Sequence, residues 1–189
     1  MVHMVQKKNN LEFEIILVLL KNKIHLREIA RILNESHSTV LRKIKELVRE
    51  NILDYKKEGK NKVFFIKDNL KAKGYIYSAE IYKLNKILKK HPELTIILED
   101  IKKNFKKSMI ILFGSYAKGN PRLNSDIDIY LETGDNKIKN KLKELNSRLS
   151  IKIGKFDVNS LLIKEIIKNH IIVRGVEDFY EKVNFFKET

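Results

Sequence analysis

The chain has 189 residues, with 39 lysines and arginines against 24 aspartates and glutamates, and a net charge of +15 with histidine neutral. There is no cysteine, which excludes a disulfide framework and a thiolate zinc site, and the 43% apolar fraction supports two small domains or one medium one. The charge excess favours an acidic partner, nucleic acid or nucleotide, where it is concentrated; elsewhere, abundant lysine also accompanies surface ion-pair networks suited to high temperature. The histidines, His3, His25, His37, His91 and His170, are scattered without ligand spacing and read as ordinary polar or capping residues. The apolar run Ile15 to Leu20 is too short to span a bilayer and too acidic at its front for a signal peptide, so a cytoplasmic protein without membrane attachment is expected.

Met1 to Asn10 reads as a loose arm, and Leu11 to Leu20 as a strongly apolar helix. Leu26, Ile29, Ala30 and Leu33 recur at helical spacing. Asn34-Glu35 breaks that pattern, and Ser36 is a good N-cap for a third helix reaching about Glu50, with Val40, Ile44, Leu47 and Val48 inward. Ile52 to Tyr55 and Lys62 to Ile66 then read as two strands around a turn with Gly59 at its tip. Three helices followed by a two-stranded ribbon, over residues 11 to 67, resemble the winged helix-turn-helix family. That resemblance implies duplex DNA as a partner. A recognition helix would begin at Ser36, His37, Ser38 and Thr39 and continue through Arg42, Lys43 and Lys45, with Arg49 one turn further, entering the major groove by its N-terminal end. Wing lysines Lys56, Lys57, Lys60 and Lys62 would meet adjacent phosphates. Glu46, Glu50, Asp54 and Glu58 dilute the basic surface, so a protein-contact use of the same module stays open.

Asn69 to Lys90 reads as a connecting helix whose apolar stripe, Tyr77, Ile81, Leu84 and Leu88, offers a face for core packing or for a homodimer. Pro92 can open the next helix, with Leu94, Ile97, Leu98, Ile101 and Phe105 inward. An apolar strand-like run, Met109 to Phe113, then meets Gly114-Ser115. After a short helical piece and a polar loop, a second strand-like run carries Asp126 and Asp128 one residue apart. On a strand these two carboxylates share a face, and they repel each other unless a cation lies between them. Magnesium is the natural neutraliser, because it takes oxygen ligands and substrate phosphates together. Asn136 to Leu149 reads as a basic amphipathic helix, Ile151 to Asn159 as a β-like segment carrying Asp157, Leu161 to Asn169 as a helix, His170 to Arg174 as a strand, and Val176 to Phe186 as a last helix.

The strand, Gly-Ser turn, spacer, Asp-x-Asp strand and later aspartate resemble the minimal nucleotidyltransferases of the DNA polymerase β superfamily, from about Pro92 to the end. One departure is visible: Ala117-Lys118-Gly119 stands where many relatives have Ala-Arg-Gly, keeping the charge but losing the bidentate fork. The resemblance implies an α+β chain with an N-terminal winged helix-turn-helix domain (1–68), a connecting helix (69–91) and a C-terminal polymerase-β-like nucleotidyltransferase domain (92–189), whose mixed sheet is flanked by helices. It implies ATP as substrate and two Mg2+ ions held by Asp126, Asp128 and Asp157. Gly114, Ser115, Lys118 and Arg122 would meet the triphosphate. It further implies adenylyl transfer to a protein hydroxyl, with a HEPN-type toxin as a candidate acceptor. Two other readings remain: a transcriptional regulator whose second domain only senses nucleotide or binds a partner, and a transferase acting on nucleic acid.

Overall fold

The computed structural model of the chain describes residues 10–106 and 108–186. The expected N-terminal arm lies, but for Asn10, outside the described residues, as does His3. The chain divides into two compact units at Ala79/Glu80.

In the first unit the helices are α1 (Leu11–Leu19), α2 (Leu26–Leu33) and α3 (His37–Arg49), and the strands are β1 (Ile24–His25), β2 (Leu53–Glu58) and β3 (Asn61–Ile66). The short β1 was not anticipated; it pairs with β3, giving an antiparallel sheet in the order β1-β3-β2. Asn34 stops α2 in the left-handed conformation, and the Ser36 side chain accepts a hydrogen bond from the Thr39 amide to start α3. Glu58 pairs with Asn61, which leaves Gly59-Lys60 as a two-residue hairpin loop. Its first residue has positive φ, the pattern of a type II′ turn. Ile15, Ile16, Ile29, Val40, Ile44, Leu47, Leu53, Phe64 and Ile66 are buried and make the core of this unit. It is a winged helix-turn-helix.

The next helix, α4 (Leu70–Lys90), contains the boundary between the units. Its buried residues are Ala72, Ile76, Ala79, Glu80 and Ile87, whereas Ile81, expected on the apolar stripe, is 55% exposed. Leu84 and Leu88 of that stripe do pack against the core of the second unit, partly buried, while the first half of the helix buries alanines and Ile76.

The second unit continues with α5 (Glu93–Asn104), β4 (Ile110–Leu112), α6 (Gly114–Lys118), β5 (Ile127–Glu132), α7 (Asn136–Lys143), β6 (Leu149–Gly154), α8 (Leu161–Lys168), β7 (Ile171–Arg174) and α9 (Val176–Lys182). The sheet order is β6-β5-β4-β7, with β5 and β6 parallel and the other pairs antiparallel, so the sheet is mixed. One face carries Ile110, Leu112, Ile127, Ile129, Leu131, Leu149 and Ile151 into a core with Leu94, Leu98, Ile101, Phe105 and Leu142. The opposite face carries Asp128 and Tyr130, and Tyr130 begins a chain of edge-to-face rings through Phe156, Phe179 and Tyr180. Among the described residues no helix is long and apolar enough to cross a membrane.

Two expectations are corrected here. The helix expected over 136–149 stops at Lys143, because Leu149, Ile151 and Ile153 alternate as a strand and pair with β5. The β-like segment expected to reach Asn159 ends at Gly154. Asp157 then forms a turn: its side chain accepts from the Asn159 amide, and the Ser160 hydroxyl donates to its carbonyl while capping α8.

Glu80, only 1% exposed, accepts hydrogen bonds from Tyr180 (2.8 Å), His170 Nε2 (3.3 Å) and Lys83 (3.1 Å). His170 is thus no incidental histidine: its Nδ1 lies 3.0 Å from the Ile166 carbonyl, joining α8 to α4. Burial pushes the Glu80 carboxyl up, but His170, the Lys83 charge and the Tyr180 hydroxyl together hold it down at about 2. Because the folded value lies below the unfolded one, this stabilisation is complete above about pH 4.5 and is lost as pH falls toward 2. Thermal unfolding followed by circular dichroism should show a melting temperature that drops over that window. Glu80→Gln should lower the neutral-pH melting temperature and flatten the drop; an equally steep drop in the variant would contradict this assignment.

Candidate functional site

The site in the second unit is built where β4 ends. The Phe113 amide donates to the Asp128 carbonyl at 2.9 Å, which extends the β4–β5 pairing by one step and sets Gly114 against Asp128. Gly114 has φ +66°, and a Cβ placed there would fall 2.0 Å from Asp128 Oδ2. Glycine is therefore required twice, for its backbone conformation and for the space the carboxylate fills. Ser115 follows, half-buried in the first turn of α6, and Tyr116 drops into the core.

Asp126 stands exposed just before β5, and Asp128 is half-buried one residue into it. The Asp128 carboxyl is raised above its usual range. Burial is the largest cause, and the charges of Asp126 and Glu165 add to it; the Ser150 hydroxyl and the Lys152 ammonium act the other way. The loop leading to Asp126 is held by Arg148, which sequence reasoning missed. Its guanidinium donates to the Ser125 carbonyl (2.9 Å) and the Tyr116 hydroxyl (2.5 Å), while its own carbonyl accepts from Ile127 (2.8 Å). Its signal was its place directly before the alternating strand Leu149–Ile153, legible only once that strand is begun at Leu149.

The other expected residues separate into two groups. Gly114, Ser115, Asp126 and Asp128 come together. Lys118, at the end of α6, is engaged by Glu165 of α8 at 2.7 Å. The Arg122 amide donates to Ser125 Oγ (2.7 Å) within the exposed loop before Asp126. Asp157 does not join them. Because β6 runs parallel to β5 from Leu149 opposite Ile127 to Gly154 opposite Glu132, the chain leaves the sheet at the far end. The Phe156 amide there meets Glu132. Six residues of strand at about 3.3 Å each separate the two ends, which places Asp157 away from the pair. Among the described residues no group of three or more histidines, cysteines or carboxylates could hold a metal ion. Asp126 and Asp128 themselves fit one divalent cation: both are oxygen donors, and a cation would favour the ionised form of Asp128 against its burial and the neighbouring Asp126 charge.

In the first unit the outer face of α3 and the hairpin enclose a groove of about 720 Å³, with Arg42, Lys45, Arg49 and Lys62 at its edges and Leu41, Ile44, Val48 and Phe64 beneath. Lys62 lies over the Tyr55 ring at 3.8 Å. Ser36, Ser38 and Thr39 hydrogen-bond among themselves at the start of α3, and His37, Lys57 and Lys60 are exposed. Lys43 pairs with Glu46 (2.8 Å) and Glu12 (3.6 Å) and does not line the groove, whereas Arg49, one turn further along α3, does.

Gly114→Ala is expected to displace Asp128 and to cost about 1–2 kcal/mol in backbone strain alone. Calorimetry should show a lowered melting temperature, with magnesium–nucleotide affinity falling in the same variant; a variant equal to the natural chain in both would remove the close approach from the account.

Residues 82–178 match the family described as Polymerase beta, Nucleotidyltransferase. The "Putative protein adenylyltransferase MJ0128" of Methanocaldococcus jannaschii is 35% identical over 99 residues, covering 52% of this chain and 92% of its own length. Among solved structures, the adhesin competence repressor AdcR of Streptococcus pyogenes aligns at 22% identity over 54% of this chain and 83% of its own, with a TM-score of 0.35. A mutant of the toxin–antitoxin MntA-HpeT aligns at 23% identity over 51% and 81%, with a TM-score of 0.36. Both structural likenesses are partial. The family match falls on the unit that holds Gly114, Asp126 and Asp128, and by it and the adenylyltransferase relative this chain belongs to the polymerase β nucleotidyltransferase family and is an enzyme of that class.

Proposed function

We propose that the chain transfers AMP from ATP to a hydroxyl of a partner protein, with magnesium, and that its winged unit binds duplex DNA. The observation that carries the transferase reading is the close seating of Gly114 on Asp128 beside Asp126. The protein acceptor is carried over from the relative's description, and a HEPN-type toxin from the minimal-nucleotidyltransferase resemblance.

The acceptor oxygen attacks the α-phosphorus, a new P–O bond forms, the bond to the β-phosphate oxygen breaks, and pyrophosphate leaves with that electron pair. The acceptor's proton passes to water or a carboxylate. Magnesium, when bound, offsets the negative charge that builds on the phosphate oxygens. Asp126 and Asp128 would hold it, with Arg148 fixing the loop that presents them. Gly114 leaves the space into which Asp128 fits, and Ser115 would contact the β- and γ-phosphates. Lys118 would keep its bond to Glu165 and donate a second of its three ammonium protons to a phosphate oxygen, and Arg122 would approach from the flanking loop.

A second reading, a regulator that senses nucleotide without turnover, is favoured by one observation: Asp157 stands away from the pair. The assay separates the two. Full-length protein, labelled ATP, magnesium and a co-encoded HEPN-type protein should yield one AMP on the acceptor, and Asp126→Asn or Asp128→Asn should reduce the rate at least about a hundredfold. Nucleotide binding without any transfer supports the sensor, and label on tRNA or DNA ends alone supports a nucleic-acid acceptor. The melting temperature gives an independent check. The folded carboxyl of Asp128 is raised, so its ionised form opposes folding at neutral pH. Asp128→Asn should therefore melt no lower than the natural chain without metal.

For the winged unit, Arg42, Lys45, Arg49 and Lys62 around one groove carry the DNA reading. Affinity for its own upstream DNA should fall steeply with salt as counterions are released. Arg42→Ala should relax sequence preference, and Lys60→Ala should weaken all sequences alike. Affinity insensitive to salt, or none at low salt, would make the unit a protein-contact module.

A further inference from the structure

The sheet decides which side chains can reach Asp128. On one side its neighbour is the end of β4, where Phe113 and Gly114 offer backbone and space but no carboxylate. On the other side is β6, the edge strand, whose residues facing the same way are Ser150, directly opposite Asp128, and Lys152, opposite Tyr130. Neither is acidic. Ser150 hydrogen-bonds the Asp128 carboxylate, and the Lys152 ammonium, exposed at the sheet edge, acts electrostatically on it. The nearby acidic group on α8, Glu165, is already paired with Lys118. A third carboxylate ligand is thus missing from the positions the sheet makes available, and a fixed cation occupies one of them.

Resting on the transferase reading above, we infer that this site holds a single divalent cation through Asp126 and Asp128, and that Lys152 acts as a nucleotide-positioning residue, placing a second positive charge beside the phosphates. An ammonium is a compact charge on a flexible stem, suited to a phosphate oxygen but unable to ligate a metal while protonated. A second cation drawn close to the first by Asp126 and Asp128 would lack a ligand of its own and would lie against the Lys152 charge. Asp157, at the other end of β6, takes no part.

The test counts manganese on the full-length chain saturated with α,β-methylene ATP, by the paramagnetic resonance of free Mn2+, and measures analogue affinity by calorimetry. The natural chain should bind one Mn2+, and Asp157→Asn should leave that number unchanged. Lys152→Ala should keep one Mn2+ while weakening the analogue at least about tenfold, the loss of one charge-assisted contact, and Lys152→Arg should restore most of the affinity. Ser150→Asp, which adds a carboxylate opposite Asp128, should raise the count to two. Two Mn2+ on the natural chain, a lost ion in Asp157→Asn, or unchanged affinity in Lys152→Ala would overturn the inference while leaving the transferase reading intact. No analogue bound at any Mn2+ concentration would overturn both.

Discussion

The second unit turns on one half-buried carboxylate. Asp128 is seated against Gly114; its burial first and the charge of Asp126 after it raise the carboxyl, against the pull of Ser150 and Lys152, so the folded chain keeps an electrostatic cost. Such a cost persists only where surrounding structure fixes it. Phe113 ties β4 to Asp128, Arg148 ties the preceding loop to Tyr116 and Ser125, and the core beneath Ile127 and Ile129 holds the strand itself.

Basic residues flank the pair. Lys152 and Lys118 both lie near it, Lys118 restrained by Glu165. In the winged unit the positive charge is sorted by face: Arg42, Lys45, Arg49 and Lys62 surround the groove, whereas Lys43 is spent on Glu12 and Glu46. A net charge of +15 therefore divides into residues that hold the fold together and residues left toward a polyanion.

The parts of the site legible in the sequence were local ones. Gly114-Ser115 and Asp126-Ile127-Asp128 lie at strand ends whose apolar runs mark them, and Ser36 as a cap follows from its own chemistry. What escaped depended on pairing between distant segments. The register of β6 on β5 placed Ser150 rather than Asp157 beside Asp128, although Leu149, Ile151 and Ile153 already alternated. The helix read through Leu149 obscured that signal, because leucine and isoleucine satisfy either period over a few residues. Arg148 could not be recognised without the loop it clamps. The Glu80–His170–Tyr180 cluster joins residues 90 and 100 positions apart, beyond any local pattern.

The central claim is that this pair of carboxylates serves transfer at the α-phosphate. The most direct measurement incubates the full chain and its acceptor with magnesium and ATP labelled either at the α- or at the γ-phosphate. Stable label from α-labelled ATP alone, with one pyrophosphate released per AMP attached, is the result the account predicts. Transfer of the γ-label, or release of inorganic phosphate without any attached AMP, would contradict it.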